Sequence, residues 1–143
     1  MQSYDKQDFF KARKYFEKAC DLNNGGGCSN LGVLYQNGQV VEKNLTKAAQ
    51  YASKACDLNN GSGCGTLGFL YGMGKGVEKN LTKAAQLYSK ACDLNNSVGC
   101  GALGMLYEYG QGVEKNLTKA AQFYSKACKL GLQKACEILK ELK

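Results

Sequence analysis

The 143-residue sequence contains no histidine, no proline and no tryptophan. The absence of histidine removes the commonest general base, the commonest metal ligand and the usual partner of a catalytic serine. No apolar run approaches the ~18 residues that a membrane-spanning helix needs. Residues 1–12 also lack the apolar stretch of a signal peptide, so we expect that a leader peptide, if the protein is exported, is absent from this chain.

The composition is that of a globular, basic protein. Apolar residues make up 44% of the chain, and the net charge is +7. Such a charge permits attraction to nucleic acid, anionic lipid or acidic proteins. The lysines, however, are interspersed with Glu42, Glu78 and Glu114, which is typical of a solvated helix face. Because no nucleic-acid motif is present, we expect no specific nucleic-acid partner, and a basic surface that binds anionic partners is the weaker alternative. We also expect a monomer without a metal or another cofactor.

A 36-residue repeat organises the chain. Full units occupy 25–60, 61–96 and 97–132, and the first two are identical at 26 of 36 positions. Residues 1–24 form a partial unit, and 133–143 form a capping helix of a single domain, 1–143. A period of this length predicts an all-α solenoid, whose units cannot bury their apolar faces alone.

Each unit is predicted to contain two helices, A and B. The A helices are expected near 26–36, 62–72 and 98–108, and the B helices near 45–58, 81–94 and 117–130. An asparagine stands at each B-helix N-cap position: Asn44, Asn80 and Asn116. A glycine interrupts each A helix at a cost of ~1 kcal/mol relative to alanine. These glycines are Gly32, Gly68 and Gly104, and we attribute them to close approach of the B-helix alanines Ala48, Ala84 and Ala120.

Eight cysteines alternate at spacings of eight and twenty-eight residues. Pairing within a unit would leave Cys20 and Cys136 without a partner, whereas pairing across each B-to-A turn uses all eight. The favoured disulfides are therefore Cys20–Cys28, Cys56–Cys64, Cys92–Cys100 and Cys128–Cys136, and each should contribute roughly 2.5 kcal/mol. Zinc binding fits the spacing poorly, and reduced cysteines in a cytosol are a further alternative. Disulfides would imply an exported protein, secreted or periplasmic.

A family resemblance rests on the repeated pattern L-G-x-L-Y-x-x-G-x-x-V-E-K-N-x-x-K-A-A-x-x-x-x-K-A-C. This pattern is similar to the Sel1-like repeat, a relative of the tetratricopeptide repeat, and the paired cysteines resemble the Helicobacter cysteine-rich proteins. The resemblance covers nearly the whole chain and departs at 1–7, where a preceding half-unit would be expected. It implies a right-handed α/α superhelix of helix-turn-helix repeats. It also implies penicillin binding and weak β-lactamase activity, for which the residues suggest no nucleophile or base.

Differences between the units point to a binding surface. Most of them are spaced three or four residues apart in the A helices, so they share one face. By similarity to tetratricopeptide solenoids, that face lines a concave groove. The predicted groove residues are Ser29, Val33, Gln36, Asn37, Ser62, Phe69, Met73, Val98, Met105, Glu108 and Tyr109. The alternative is that Val33, Phe69 and Met105 belong to the core, although a repeated core pocket should not tolerate such different volumes. The predicted ligand is a peptide, a protein or a cell-wall-derived fragment.

Two short motifs have weak functional interpretations. Residues 3–6 match S-x-x-K, a serine β-lactamase motif, but its companion motifs S-D-N and K-T-G are missing. The tripeptides that begin at Asn44, Asn80 and Asn116 match the N-glycosylation pattern. Their role as helix caps explains them better. No catalytic residue is therefore assigned, and whether the protein is an enzyme is left open.

Overall fold

The structure, a computed structural model, describes residues 6–38 and 42–142 and contains only helices in these ranges. The eight helices are α1 (Lys6–Asp21), α2 (Gly25–Asn37), α3 (Leu45–Asp57), α4 (Gly61–Met73), α5 (Leu81–Asp93), α6 (Ser97–Tyr109), α7 (Leu117–Lys129) and α8 (Gln133–Glu141). In the repeat, α2, α4 and α6 are A helices, and α3, α5 and α7 are B helices. Each helix packs against its neighbours in the chain, and successive A helices also touch. The predicted all-α solenoid is confirmed, and the limits of the A and B helices agree with the expected ones to within one residue. The capping helix, expected over 133–143, ends at Glu141.

Asparagine side chains begin both helices of every full unit. The predicted B-helix caps are confirmed, since Oδ1 of Asn44 accepts from the backbone N–H of Lys47 at 3.0 Å, as its equivalents do one and two units later. A second set was not predicted. Asn24, Asn60 and Asn96 cap the A helices, and their Oδ1 atoms accept from backbone N–H groups at 2.7–2.8 Å. Each cap satisfies a donor that the first helical turn leaves without a partner.

The internal glycines of the A helices make room for helix B in two ways. At Gly32, an added Cβ would lie 3.3 Å from the carbonyl oxygen of Ala48, so two backbones approach closely. At Gly68 and Gly104 the contact is different. There an added Cβ would lie 3.0 Å from the aromatic ring of Tyr88 or Tyr124. The attribution to alanine alone is therefore correct for the first unit and wrong for the other two, where a tyrosine replaces Ala52.

Four disulfides join each B helix, and α1, to the helix that follows. They pair Cys20 with Cys28, Cys56 with Cys64, Cys92 with Cys100 and Cys128 with Cys136. All eight cysteines are thereby used. Six of the sulfur-bearing side chains are buried, whereas Cys128 and Cys136 are half-buried near the end of the solenoid.

Lysine side chains tie successive B helices together. Nζ of Lys90 donates to the carbonyl oxygen of Cys56 at 2.9 Å, and Nζ of Lys126 donates to that of Cys92 at 2.8 Å. Each bond satisfies a carbonyl at the C-terminal end of a helix, where a positive charge also meets the negative end of the helix dipole. Each unit is thus held to its neighbour by a charged hydrogen bond as well as by apolar packing.

The alanine-rich faces of the B helices form a series of small cores between neighbouring helices. One such core joins Ala84, Ala85 and Tyr88 to Leu103 and Leu106 of the next A helix. Its members come from adjacent units, which is the arrangement that a repeat solenoid requires. Among the described residues, no helix is both long and apolar enough to cross a membrane.

Candidate ligand-binding groove

A cavity of about 510 Å³ crosses the A helices of all three full units. This volume lies within the ~300–1,000 Å³ range of small-ligand pockets. We call it the central cavity. Six of the eleven predicted groove residues line it: Ser29, Val33, Gln36, Ser62, Phe69 and Val98.

The exposed fractions of these side chains separate the groove from the core. Phe69 is 38% exposed and Val98 is 60% exposed, whereas Val33 is half-buried. Met105, at the position equivalent to Phe69, is 48% exposed. The alternative that Phe69 and Met105 are core residues therefore does not fit the structure, because both present apolar surface to solvent.

The other predicted residues lie outside the central cavity. Met105 lines a second, smaller cavity of about 240 Å³, to which Val98 also belongs. Residues of α8 form part of the wall of this C-terminal cavity, and its lining residues are apolar except for Lys134 and Tyr124. Asn37, Met73 and Tyr109 are exposed at the C-terminal ends of their helices.

Glu108 has an internal partner, which the sequence did not predict. Its Oε1 accepts a hydrogen bond of 2.7 Å from the hydroxyl of Tyr124. Burial, together with this bond to a carboxylate, raises the pKa of the Tyr124 phenol well above its usual value. Glu108 is therefore engaged in tertiary structure in the third unit, whereas Gln36 and Gly72 hold the equivalent positions in the first two.

Several groove residues were missed by the sequence analysis. They are Asn30, Asn60, Thr66, Tyr88 and Asn96. Asn60 and Asn96 hold the last position of their units, which precedes the next A helix, whereas the third unit has Leu132 there. The prediction used differences within the A helices and did not include this position. Tyr88 lies on a B helix, whereas the predicted groove residues all come from A helices. The change from Ala52 to a tyrosine at the equivalent position is the one signal that could have found it.

The lining of the central cavity combines apolar and polar side chains and is uncharged. Among the described side chains that line it, none is an aspartate, glutamate, lysine or arginine. A positive charge lies close by, since Nζ of Lys75 is 5.6 Å from the centre of the Phe69 ring. Despite the net charge of +7, the cavity itself offers hydrogen-bonding groups and apolar surface rather than a charged site.

Of the two remaining motifs, the glycosylation patterns lie on described residues, whereas most of the S-x-x-K motif does not. Of the S-x-x-K motif, Ser3, Tyr4 and Asp5 lie outside the described residues. The asparagines of the three glycosylation patterns make the helix-cap bonds already described. Among residues 6–38 and 42–142, no group of three or more Cys, Asp or Glu side chains is arranged to hold a metal ion.

These features define a disulfide-linked, all-α repeat solenoid with a groove on its A helices, and comparison with known proteins gives the family. The Sel1 repeat pattern matches residues 3–24, 26–60, 66–96 and 97–132. The chain belongs to the Sel1 repeat family. Among solved structures, it is similar to the Helicobacter pylori cysteine-rich protein B (hcpB), with 48% identity and a TM-score of 0.76 over 96% of this chain and 98% of that one.

Other relatives match over shorter shares of their length. A Sel1 repeat protein from Oxalobacter formigenes has 30% identity and a TM-score of 0.85 over 92% of this chain, but the match covers 54% of that protein. A curated relative, "Putative beta-lactamase HcpC" of Helicobacter pylori, is 66% identical over 44 residues. That match covers 31% of this chain and 15% of HcpC. "Beta-lactamase HcpA" of the same species is 49% identical over 45 residues, or 18% of its length.

Proposed function

We propose that this chain is an exported, disulfide-rich binding module that holds a peptide, a protein segment or a cell-wall-derived fragment in the central cavity. The observation that carries the proposal is that six side chains at positions that differ between units line one cavity: Ser29, Val33, Gln36, Ser62, Phe69 and Val98. In a repeat whose other positions are nearly constant, variation at solvent-exposed apolar and polar side chains fits recognition better than it fits folding. The export of the protein is supported by four disulfides, which persist in oxidising compartments.

The apolar part of the surface is suited to protein contact. Phe69 and Val98 expose their side chains into a concave site, and such anchors commonly contribute most of the free energy of binding. Polar groups around them provide orientation, as in most ligand sites. The rigid packing of the A helices reduces the entropy lost on binding, because the groove is already formed.

The test begins with a pull-down from the natural extracellular environment and then measures the affinity of the captured partner. The double variant Phe69→Ala/Val98→Ser should weaken binding at least tenfold, since two exposed apolar anchors are removed. Tyr15→Ala is the control, because Tyr15 is also an exposed aromatic side chain, lies on α1 and is outside the central cavity. Equal affinities of the double variant and the parent would exclude the central cavity as the binding site.

A second candidate function is β-lactam binding with weak hydrolysis. It is supported by the names of the relatives HcpC and HcpA, which match this chain over short segments. The test is turnover of a chromogenic cephalosporin by protein purified to constant specific activity, together with intact-mass analysis for a covalent adduct. A protein that shows neither turnover nor adduct is not a β-lactamase.

A further inference from the structure

We propose that the hydroxyl group of Tyr88 is a hydrogen-bond donor reserved for the ligand of the central cavity, and that this ligand is an uncharged, extended peptide segment whose main-chain carbonyl accepts the bond. The inference deepens the proposed binding function and rests on it. It follows from a difference between two equivalent tyrosines.

Tyr88 and Tyr124 occupy the same repeat position and pack alike. Each ring lies against an A-helix glycine, with an added Cβ 3.0 Å from the ring carbons. The hydroxyl of Tyr124 donates to Glu108 at 2.7 Å. One unit earlier, Gly72 stands where Glu108 stands, so the second unit lacks the carboxylate that would accept from Tyr88. The hydroxyl of Tyr124 therefore has a carboxylate acceptor within the protein, and the hydroxyl of Tyr88 does not have the equivalent one.

The Tyr88 side chain lines the groove, and its hydroxyl is not fully buried. Tyr88 is 9% exposed and lines the central cavity. Across the described ranges, no side-chain oxygen or nitrogen that is fully buried lacks a hydrogen-bond partner. Because the Tyr88 hydroxyl makes no hydrogen bond to any described residue, it cannot be fully buried and must touch solvent. Burial raises the pKa of Tyr88 to about 12, so the hydroxyl keeps its proton at neutral pH.

The polar groups near Tyr88 indicate which kind of ligand group the cavity can bind. Asn60 and Asn96 also line the cavity, and each uses its Oδ1 to cap an A helix. Their amide Nδ2 groups therefore remain as donors, one repeat apart. With Tyr88 they form a set of donors without any charged group. A peptide main chain in extended form presents carbonyl acceptors at regular intervals, and its apolar side chains can contact Val33 and Phe69.

The absence of charge in the lining selects against charged ligands. A carboxylate or an ammonium group that is buried there would meet no opposite charge among the lining residues, which is costly. The neighbouring cation, Nζ of Lys75, lies 5.6 Å from the centre of the Phe69 ring. A neutral amide carbonyl has no such cost and gains a hydrogen bond from a hydroxyl that water otherwise occupies. We therefore expect the affinity to depend only weakly on salt, although the protein carries a net charge of +7.

The probe for the test is a single fluorescent peptide, selected on the parent protein from a library of uncharged nonapeptides. Four variants are compared by fluorescence anisotropy. Tyr88→Phe removes only the hydroxyl, and Tyr124→Phe is the matched control because that hydroxyl is satisfied internally. Gly72→Glu introduces the acceptor that the third unit already has. The fourth variant combines Gly72→Glu with Tyr88→Phe.

We expect Tyr88→Phe to weaken binding about three- to tenfold, the range for one hydrogen bond, and Tyr124→Phe to change it less than twofold. In the Gly72→Glu protein, Tyr88→Phe should have no further effect, since the hydroxyl is already engaged. A Tyr88→Phe protein that binds the selected peptide as tightly as the parent overturns the inference while leaving the groove function intact.

Two further outcomes distinguish failure of this inference from failure of the proposed binding function. In the first outcome, no peptide is selected, but the protein binds a cell-wall disaccharide and the Phe69→Ala/Val98→Ser variant binds it more weakly. This result overturns the peptide assignment but retains the central cavity as the binding site. Failure of both ligand classes overturns the proposed function as well. Binding that falls more than tenfold between low and physiological salt would also overturn the assignment to an uncharged ligand.

Discussion

Replacement of both Cys92 and Cys100 by alanine is expected to lower the free energy of unfolding by about 4 kcal/mol. The disulfide closes a loop with a sequence separation of 8, which in the chain-entropy model corresponds to about 2.5 kcal/mol. Both side chains are also buried, with exposed fractions of 1% and 0%. Loss of two buried sulfur atoms, each treated as one methylene-sized apolar group, adds about 1.5 kcal/mol.

The control for this variant is the disulfide between Cys128 and Cys136. It has the same sequence separation of 8, so its chain-entropy contribution is equal. Because both of its cysteines are half-buried, less packing is lost, and its removal should cost about 2.5–3 kcal/mol. The comparison therefore isolates the part of the destabilisation that comes from burial.

Urea denaturation followed by far-ultraviolet circular dichroism measures both effects. The slope of the unfolding free energy against urea must be similar in the three proteins, because a change in slope would mean that the transition is no longer all-or-none. A cost below about 1 kcal/mol at Cys92 and Cys100 would refute the reasoning. So would a larger cost at the half-buried pair than at the buried pair.

Three more perturbations test the packing between units. Gly76→Ala should destabilise by more than about 2 kcal/mol, because the residue has a φ of +74° and its Cβ would overlap the backbone carbonyl of Leu45. Lys90→Met should cost about 1–2 kcal/mol by removing the 2.9 Å bond to the Cys56 carbonyl. Above pH 10, stability should fall as the pH rises towards 12, because the pKa values of Tyr88 and Tyr124 are both raised in the folded protein and the unfolded chain releases these two protons first.

Matched controls accompany these variants in the same denaturation assay. Gly72→Ala should stabilise or leave stability unchanged, because its added Cβ meets only Ala84 at 3.7 Å and alanine favours the helix. Lys75→Met tests the loss of a charge from an exposed lysine without a carbonyl partner. For the pH prediction, Tyr88→Phe should make the fall of the unfolding free energy between pH 10 and 12 less steep. In a titration followed by tyrosinate absorbance, this variant should have one fewer tyrosine with a raised pKa. Unchanged profiles would contradict the assignment to Tyr88.

The local features of the fold were predictable because each depends on residues near one another in the chain. The N-cap at Asn44 needs only its own side chain and the N–H of Lys47. The disulfide between Cys56 and Cys64 spans a single turn between two helices. Repetition strengthened these predictions, because the same local pattern occurs three times and each copy supports the others.

The candidate site was predictable only in part, and Tyr88 and Glu108 show why. The helical spacing of Phe69 and Ser62 placed them on one face, since both lie on the same helix. Tyr88 lies on a B helix, yet its side chain lines the groove of the A helices. Glu108 shares the helix face of the groove residues but bonds to Tyr124 instead. Both outcomes depend on how a B helix packs against an A helix, which periodicity does not specify.

The amino-acid sequence by itself determined the period of the solenoid, the two helices of each unit, their starting asparagines and the pairing of the cysteines. These features follow from hydrogen bonds and covalent links within one unit or one turn. Only the tertiary structure decided which variable side chains share a cavity and which of two equivalent tyrosines keeps its hydroxyl free. Those properties arise between helices and between units. At one repeat position the third unit has Glu108 and the second has Gly72, and this difference decides whether the tyrosine sixteen residues later has a carboxylate partner.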